Sequence, residues 1–200
     1  LVLQIQKHID QEKYKILDPY EAEAGVVLFN EAEYISGLSV LSQFDNVIVV
    51  NKAAQGTTAQ TLRLYNRGQL ILTTKVSTGR EDVEVVKPGQ KIIRKLFNKK
   101  GTTQSHWRHT TNGVYTVKRV EGAEYRSGES KYHMPYAIFF NDVRGLAVHQ
   151  VPPDLSGGEA AGESMLGKRA SSGCVRVHKN TIQSIHGLVV QAGKGLMPVL

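Results

Sequence analysis

The sequence Ser171-Ser172-Gly173-Cys174-Val175-Arg176-Val177 contains the only cysteine among the 200 residues of the chain. Its last four residues alternate in the manner of a β-strand, so the side chains of residues 174 and 176 are expected on the same face. A glycine directly before the cysteine lets the backbone approach a ligand closely. The stretch therefore predicts a short strand that begins at a thiol within reach of a ligand.

The region before this stretch predicts a hairpin followed by a long loop. Residues 136–140, a turn, and residues 146–150 predict two antiparallel strands, and the second of them ends near His149. Residues 151–170 are rich in Gly, Pro and Ser, which is typical of a surface loop. Loops of this length inside compact domains are usually functional or disordered.

The candidate catalytic residues follow from the chemistry of a thiol. It becomes a nucleophile when an imidazole or a positive charge holds it as thiolate, and His149 and Arg176 could supply both. Arg176 could instead bind a substrate carboxylate through its planar guanidinium, and the amides of Ser172, Gly173 and Cys174 could form an oxyanion site. The competing interpretation is a small buried cysteine beside a core histidine. The polar loop and the basic setting of Cys174 favour catalysis.

The remaining pattern is mainly that of β-strands. Residues 47–50, a hairpin over residues 61–77 and the alternating residues 113–120 predict strands. Residues 178–187 have the period of one short helix that ends at Gly187, after which strand character resumes. The predicted fold class is therefore mainly β with one short helix after the cysteine.

The net charge of +7 is unevenly distributed. Residues 1–45 carry a net charge of −5 and residues 46–200 carry +12, which predicts an acidic N-terminal extension of unassigned role before a basic domain. Residues 87–119 hold nine bases and no acid. This run would suit nucleic acid, an anionic envelope polymer, or a solvated basic face without a partner.

Several classes of protein and site are not predicted. No apolar stretch approaches the roughly 18 residues of a membrane span, and residues 1–14 lack the pattern of a signal peptide. Residues 162–169 nearly spell a phosphate-binding loop, but Arg169 stands where Ser or Thr would bind magnesium. The histidines show no spacing typical of a zinc site. We therefore predict no metal and no cofactor.

Several ordered motifs together resemble the L,D-transpeptidase catalytic domain, the YkuD family, over about residues 46–195. That family has a histidine on a strand, then a loop, then S-x-G-C-[IV]-R, and Ser171 to Arg176 match this signature after His149. Three further stretches are similar to family segments: residues 112–117 to T-P-x-G-x-Y/F-x-V, residues 134–138 to M-P-Y-A, and residues 46–79 to an opening hairpin that leads to Ser-Thr-Gly. Gln150 departs from the pattern, because Gly or Ser usually follows the histidine.

The resemblance implies a β-rich, sandwich-like fold and a catalytic domain over residues 46–200. Cys174 would attack the L-to-D amide of a peptidoglycan stem tetrapeptide, with His149 as general base and then acid, so that D-Ala leaves and a thioester forms. Gly173 and Ser172 would complete the catalytic site. Substrate binding would fall to Arg176, Ser171, Gln150, Tyr132 and Met134.

The resemblance leaves the acyl acceptor open, and Gln150 bears on it. An amine from a second stem would give a 3→3 crosslink, water would make the enzyme an L,D-carboxypeptidase, and a lipoprotein lysine is a further acceptor. A module that keeps the fold, binds the wall and has no activity is the alternative of another class. Stem peptides are the predicted partners, with other anionic envelope polymer possible and nucleic acid not favoured. The predicted location is the bacterial cell envelope, in the periplasm or cell wall.

Overall fold

The structure is a computed structural model that describes residues 31–86, 104–128, 132–193 and 198–199. Its strands are β1 (Asn46–Asn51), β2 (Thr61–Asn66), β3 (Gln69–Ser77), β4 (Asp82–Val86), β5 (Gln104–Arg108), β6 (Tyr115–Thr116), β7 (Arg119–Val120), β8 (Ile138–Asn141), β9 (Leu146–Gln150), β10 (Val175–Val177) and β11 (Pro198–Val199). Its helices are α1 (Glu31–Ile35), a 3-10 helix (Val40–Gln43), α2 (Gly158–Glu163) and α3 (Lys179–Ala192). Most of the predicted basic run, residues 87–103, lies outside the described residues.

Nine of these strands form one curled, mixed sheet in the order β6-β11-β1-β2-β3-β10-β9-β8-β7, and β4 pairs with β5 separately. β10 lies between β3, to which it is antiparallel, and β9, to which it is parallel. The two predicted hairpins are confirmed as the antiparallel pairs β2–β3 and β8–β9. The mainly β fold class is therefore confirmed, and the curl brings two halves of one sheet over a common core.

The core lies inside the curl because one face of each strand is apolar. Alternate residues of the central strands are buried in a single cluster, to which β1, β2, β8, β9 and β10 contribute Ile48, Leu62, Leu64, Ile138, Phe140, Val148, Val175 and Val177. Helix α3 closes this cluster with Ile182, Ile185 and Val189, all fully buried. Burial of this apolar surface is the main stabilising contribution.

Helix α3 extends five residues further than the sequence predicted. It continues past Gly187 to Ala192, where strand character had been expected. Val189 lies seven residues after Ile182 and stays on the same buried face, while Gly187 is exposed. A glycine inside a helix costs about 1 kcal/mol relative to alanine, which burial of Val189 outweighs. The apolar residues after Gly187 therefore continue the buried face of the helix and do not form the predicted strand.

The segment predicted as a loop, residues 151–170, contains helix α2. Gly162 is buried in this helix, and a Cβ atom there would overlap the side chains of Val151 and Leu155. The absence of a side chain at residue 162 thus lets α2 pack onto the end of β9. Glycine here supports close packing, which composition alone cannot distinguish from a loop.

The described part of the acidic extension packs on the sheet. Tyr34, Leu41 and Phe44 are buried against Val47 and Tyr65 in a second cluster on the sheet's other face. The rings of Tyr34 and Tyr65 meet edge to face with centroids 5.4 Å apart. None of the helices in the described ranges is long and apolar enough to cross a bilayer.

Candidate active site

The parallel pairing of β9 and β10 places a predicted catalytic residue and a predicted substrate-binding residue side by side. Val175 is opposite Val148, and Arg176 is opposite His149. Because side chains alternate along a strand, the two valines enter the core while His149 and Arg176 lie together on the other face. Cys174 precedes β10 by one residue and shares that face.

These three side chains line one cavity of about 460 Å³. Cys174 is half-buried, and its Sγ–H donates to the carbonyl oxygen of Gly145, 3.6 Å away in the turn between β8 and β9. The thiol also packs against a small apolar cluster that includes Met134 and Phe139. The Cys174 side chain therefore contacts apolar side chains and also lines the cavity.

His149 is held as a neutral imidazole. It is 3 % exposed, and its Nδ1 lies 2.6 Å from the carbonyl oxygen of Gln150. A carbonyl only accepts, so Nδ1 carries the hydrogen and Nε2 is left as the acceptor. Burial first, and the positive charge of Arg176 second, lower the pKa of His149 to about 3, although the Gln150 carbonyl acts in the opposite direction. A neutral imidazole with a free Nε2 is the form that a general base requires.

Arg176 is a largely buried cation beside the thiol. Burial is the main cause that lowers its pKa, the charge of Arg80 adds to this, and a negative charge on Cys174 would raise it. Within the described residues, the structure shows no hydrogen bond or ion pair of the Arg176 guanidinium. The side chain is therefore available to an anion in the cavity.

Ser171 and Gly173 form the turn that presents the cysteine. The Ser171 hydroxyl donates to the carbonyl oxygen of Cys174 at 2.5 Å and accepts the amide of Gly173 at 3.0 Å. The Thr110 hydroxyl donates to the carbonyl oxygen of Gly173 at 2.7 Å. Of the three amides predicted to form an oxyanion site, that of Gly173 is thus used inside the turn, whereas Ser172 and Cys174 line the cavity.

The segment after β3 fixes this turn from the other side. Both Ala170 and Ser171 donate their amides to the carbonyl oxygen of Thr78 at 2.9 Å, and Arg80 donates its amide to that of Ser171 at 3.2 Å. Thr78 is held in turn by buried Gln60, whose side-chain oxygen accepts from the Thr78 amide at 3.0 Å. The Ser-Thr-Gly stretch is therefore hydrogen-bonded to the loop that carries the cysteine and supports it from this side.

A family model for the YkuD L,D-transpeptidase catalytic domain matches residues 45–198. The chain belongs to the YkuD family of L,D-transpeptidase catalytic domains. The match covers most of the chain and corresponds to the catalytic domain of that family. No curated protein matches the chain significantly.

Solved structures of L,D-transpeptidases share the fold. An L,D-transpeptidase from Mycobacterium tuberculosis H37Rv superposes with a TM-score of 0.51 at 19 % identity, over 78 % of this chain and 57 % of its own. An L,D-transpeptidase from Xylanimonas cellulosilytica DSM 15894 gives 0.51 at 18 % identity, over 100 % of this chain and 91 % of its own. The chain thus spans little more than half of the mycobacterial structure, and at these identities the likeness concerns the fold alone.

Gln150 stands where the YkuD pattern usually has Gly or Ser, and its side chain does not lie at the cavity, where we expected it to contact substrate. Its side chain is buried and donates to Oε1 of Glu159 on α2 at 2.6 Å, and it does not line the cavity. Only its backbone carbonyl takes part, by orienting His149. The predicted contact of this side chain with substrate therefore has no support in the geometry, because the side chain ties β9 to α2 instead.

The other predicted substrate-binding residues lie at the cavity. Tyr132 and Met134 line it, as do Ser171 and Ser172, whereas Gly173 is buried behind it. Tyr132 and Met134 flank His133, whose amide donates to the Asp154 carboxylate at 3.3 Å, and Arg126 pairs with the same carboxylate at 2.9 Å. The site residues assigned from the sequence are thus mostly brought together, and their roles remain predictions.

Sequence reasoning missed the other cations of the cavity wall. Arg80, Arg119 and Arg144 line it together with Arg176, and Asp142 is the one acidic residue in the described lining. The guanidinium carbon of Arg119 lies 3.7 Å from the centroid of the Phe139 ring. The position of Arg80 directly after the Ser-Thr-Gly stretch was an available signal, whereas nothing local marked Arg119 or Arg144.

Proposed function

We propose that the chain is a cysteine-dependent L,D-transpeptidase that acts on peptidoglycan stem tetrapeptides in the bacterial cell envelope. The observation that carries this proposal is the arrangement of Cys174, neutral His149 and Arg176 on one face of two adjacent strands, at one cavity. Family membership supports the peptidoglycan substrate and the envelope location.

The first half-reaction forms a thioester. The thiol proton of Cys174 passes to Nε2 of His149, and the sulfur attacks the carbonyl carbon of the L-to-D amide. The carbonyl oxygen becomes an oxyanion, for which the backbone N–H groups of Ser172 and Cys174 are candidate donors, because both residues line the cavity. The amide C–N bond then breaks, and His149 returns the proton to the leaving amine of D-Ala.

The second half-reaction transfers the acyl group to an acceptor. A neutral acceptor amine attacks the thioester carbonyl while His149 takes a proton from its nitrogen, the C–S bond breaks, and His149 returns that proton to the sulfur. Arg176 is positioned to bind a carboxylate of the donor, because its guanidinium is largely buried beside the thiol. An amine on a second stem is the proposed acceptor.

The test is mass spectrometry of purified disaccharide-tetrapeptide incubated with the protein and, in parallel, with Cys174→Ala. We expect 3→3 crosslinked dimers and released D-Ala with the wild-type protein alone, and an unchanged circular dichroism spectrum for the variant. Tripeptide without dimers would replace the proposal by L,D-carboxypeptidase activity. Turnover that persists in Cys174→Ala would contradict the assigned nucleophile.

A further inference from the structure

Two arginines at the cavity differ from all the other described arginines. Nine arginines lie in the described ranges, and seven of them have a hydrogen-bonded side chain: Arg63, Arg67, Arg108, Arg119, Arg126, Arg144 and Arg169. Within the same ranges, no hydrogen bond or ion pair is found for the side chains of Arg80 and Arg176. Both of these side chains line the cavity that contains Cys174.

The backbone holds these two cations close to the thiol. Arg176 follows Cys174 by two residues at the start of the β10 pairing with β9. Arg80 is fixed to the other side of the cysteine loop, since its amide bonds to the Ser171 carbonyl and Gly79 bridges Ser171. The backbone positions of Arg80 and Arg176 are therefore set by strand pairing and backbone hydrogen bonds. No attraction between the two arginine side chains is needed to bring them to the same cavity.

Proximity of these two positive charges is unfavourable without an anion. The charge of Arg80 is one of the causes that lower the pKa of Arg176, after burial. Asp82 lies near Arg80, but its carboxylate accepts two hydrogen bonds of 2.7 Å from Arg108. The acid of the cavity wall, Asp142, faces Arg119 at 3.5 Å. Neither carboxylate therefore compensates the pair.

We propose that Arg80 and Arg176 form a two-point anion site that selects donor peptides with ionised internal carboxylates over donors in which those groups are carboxamides. This rests on the proposed function. Arg176, which is largely buried beside Cys174, would bind the C-terminal carboxylate one residue beyond the attacked carbonyl. Arg80 is exposed at the rim and would bind a second carboxylate further along the stem. Conversion of a carboxylate to its carboxamide removes the charge at nearly constant shape.

The experiment measures binding separately from turnover. Two synthetic disaccharide-tetrapeptides are compared, identical except that the internal carboxylates are free in one and carboxamides in the other. Calorimetry with the Cys174→Ala protein gives both Kd values without reaction, and the measurement is repeated with Arg80→Gln and Arg80→Lys in that background. Arg67→Gln is the matched control, because Arg67 is an exposed arginine in the β2–β3 turn, paired with Asp45.

We expect the Cys174→Ala protein to bind the free acid about tenfold or more tightly than the carboxamide, as for a charge-assisted hydrogen bond. Arg80→Gln should abolish this preference, Arg80→Lys should keep part of it, and Arg67→Gln should leave it unchanged. Equal Kd values for the two peptides, or a preference that survives Arg80→Gln, would overturn the inference. Turnover by the wild-type protein is scored separately, so absence of any product with a clear binding preference would contradict the proposed function and not the anion site.

Discussion

Gly173 occupies a conformation and a space that other residues cannot take. Its φ of 131° lies in a region that L side chains rarely adopt. A Cβ atom there would lie 2.9 Å from the backbone oxygen of His109 and 2.9 Å from Cδ2 of Leu146. The signature glycine is thus required by the approach of the cysteine turn to a neighbouring backbone.

We expect Gly173→Ala to lower the free energy of unfolding by more than about 2 kcal/mol and to reduce turnover at least about 100-fold, because the turn that presents Cys174 must move. Denaturant unfolding and the mass-spectrometric assay measure the two effects. Gly122→Ala is the control, since a Cβ atom at Gly122 would meet nothing within 4 Å. Equal behaviour of the two variants would show that the close approach is unimportant.

His149 couples the site's chemistry to stability. An unfolded histidine has a pKa near 6.5, whereas burial and Arg176 lower the pKa of folded His149 to about 3. Between these two pH values the unfolded chain binds more protons than the folded one, so the free energy of unfolding falls as the pH drops from about 6.5 to about 3. The neutral imidazole needed for catalysis is therefore retained at the expense of acid stability.

We expect the wild-type protein to lose stability between pH 7 and pH 4 by a few kcal/mol more than His149→Gln, on the order of the cost of keeping this imidazole neutral. Urea unfolding of both proteins at the two pH values gives the comparison. The variant should also have lost turnover at pH 7. If both proteins lose the same stability on acidification, the buried histidine is not the titrating group.

At the scale of elements, helix α3 depends on one apolar stripe. Ile182, Ile185 and Val189 are fully buried against the sheet, and Val190, the next residue, is 59 % exposed. The helix therefore supports the core beneath β9 and β10, the two strands that carry His149 and Arg176. Its final turn is part of this support even though Gly187 precedes it.

We expect Val189→Ala to lower the free energy of unfolding by about 2 kcal/mol, through lost burial and the cavity left behind. Val190→Ala should change it by less than about 0.5 kcal/mol, because that side chain is mostly in solvent. Thermal or chemical unfolding of the pair checks this. Similar losses for the two variants would contradict the continuation of the helix.

At the scale of the whole molecule, positive charge predominates in the described lining of the cavity where an anionic substrate would bind. The chain has a net charge of +7, and four arginines with one aspartate line the cavity in its described part. A concave site with one sign of charge attracts oppositely charged ligands and raises their local concentration. The charge of the chain and the chemistry of the proposed substrate are therefore matched.

We expect kcat/KM for the free-acid tetrapeptide to fall several-fold between about 0.05 M and about 0.5 M NaCl, mainly through KM, because salt screens the attraction. Steady-state kinetics at both ionic strengths measures this. A matched substrate with carboxamides should respond less. An unchanged KM would show that the cavity's charge does not contribute to substrate binding.

Local pattern determined much of this protein. The alternation of apolar residues predicted the β2–β3 and β8–β9 hairpins, because burial of one sheet face imposes a period of two. The signature around Cys174 with the preceding histidine indicated the family, because that chemistry restricts which residues can stand at adjacent positions. These properties depend on residues close together in the chain.

Only the tertiary structure decided how distant segments meet. The insertion of β10 between β3 and β9 brings Arg80 to the cysteine loop from about ninety residues away, and no local pattern encodes that register. The carbonyl of Gln150 contacts the adjacent His149, and the Gln150 side chain contacts Glu159 on α2, a division that the sequence pattern does not show. Helix α3 continues beyond Gly187 because the core beneath it continues to bury Val189. For Arg80 and for helix α3, packing between segments remote in sequence outweighs the local preference, and this is where the sequence alone was insufficient.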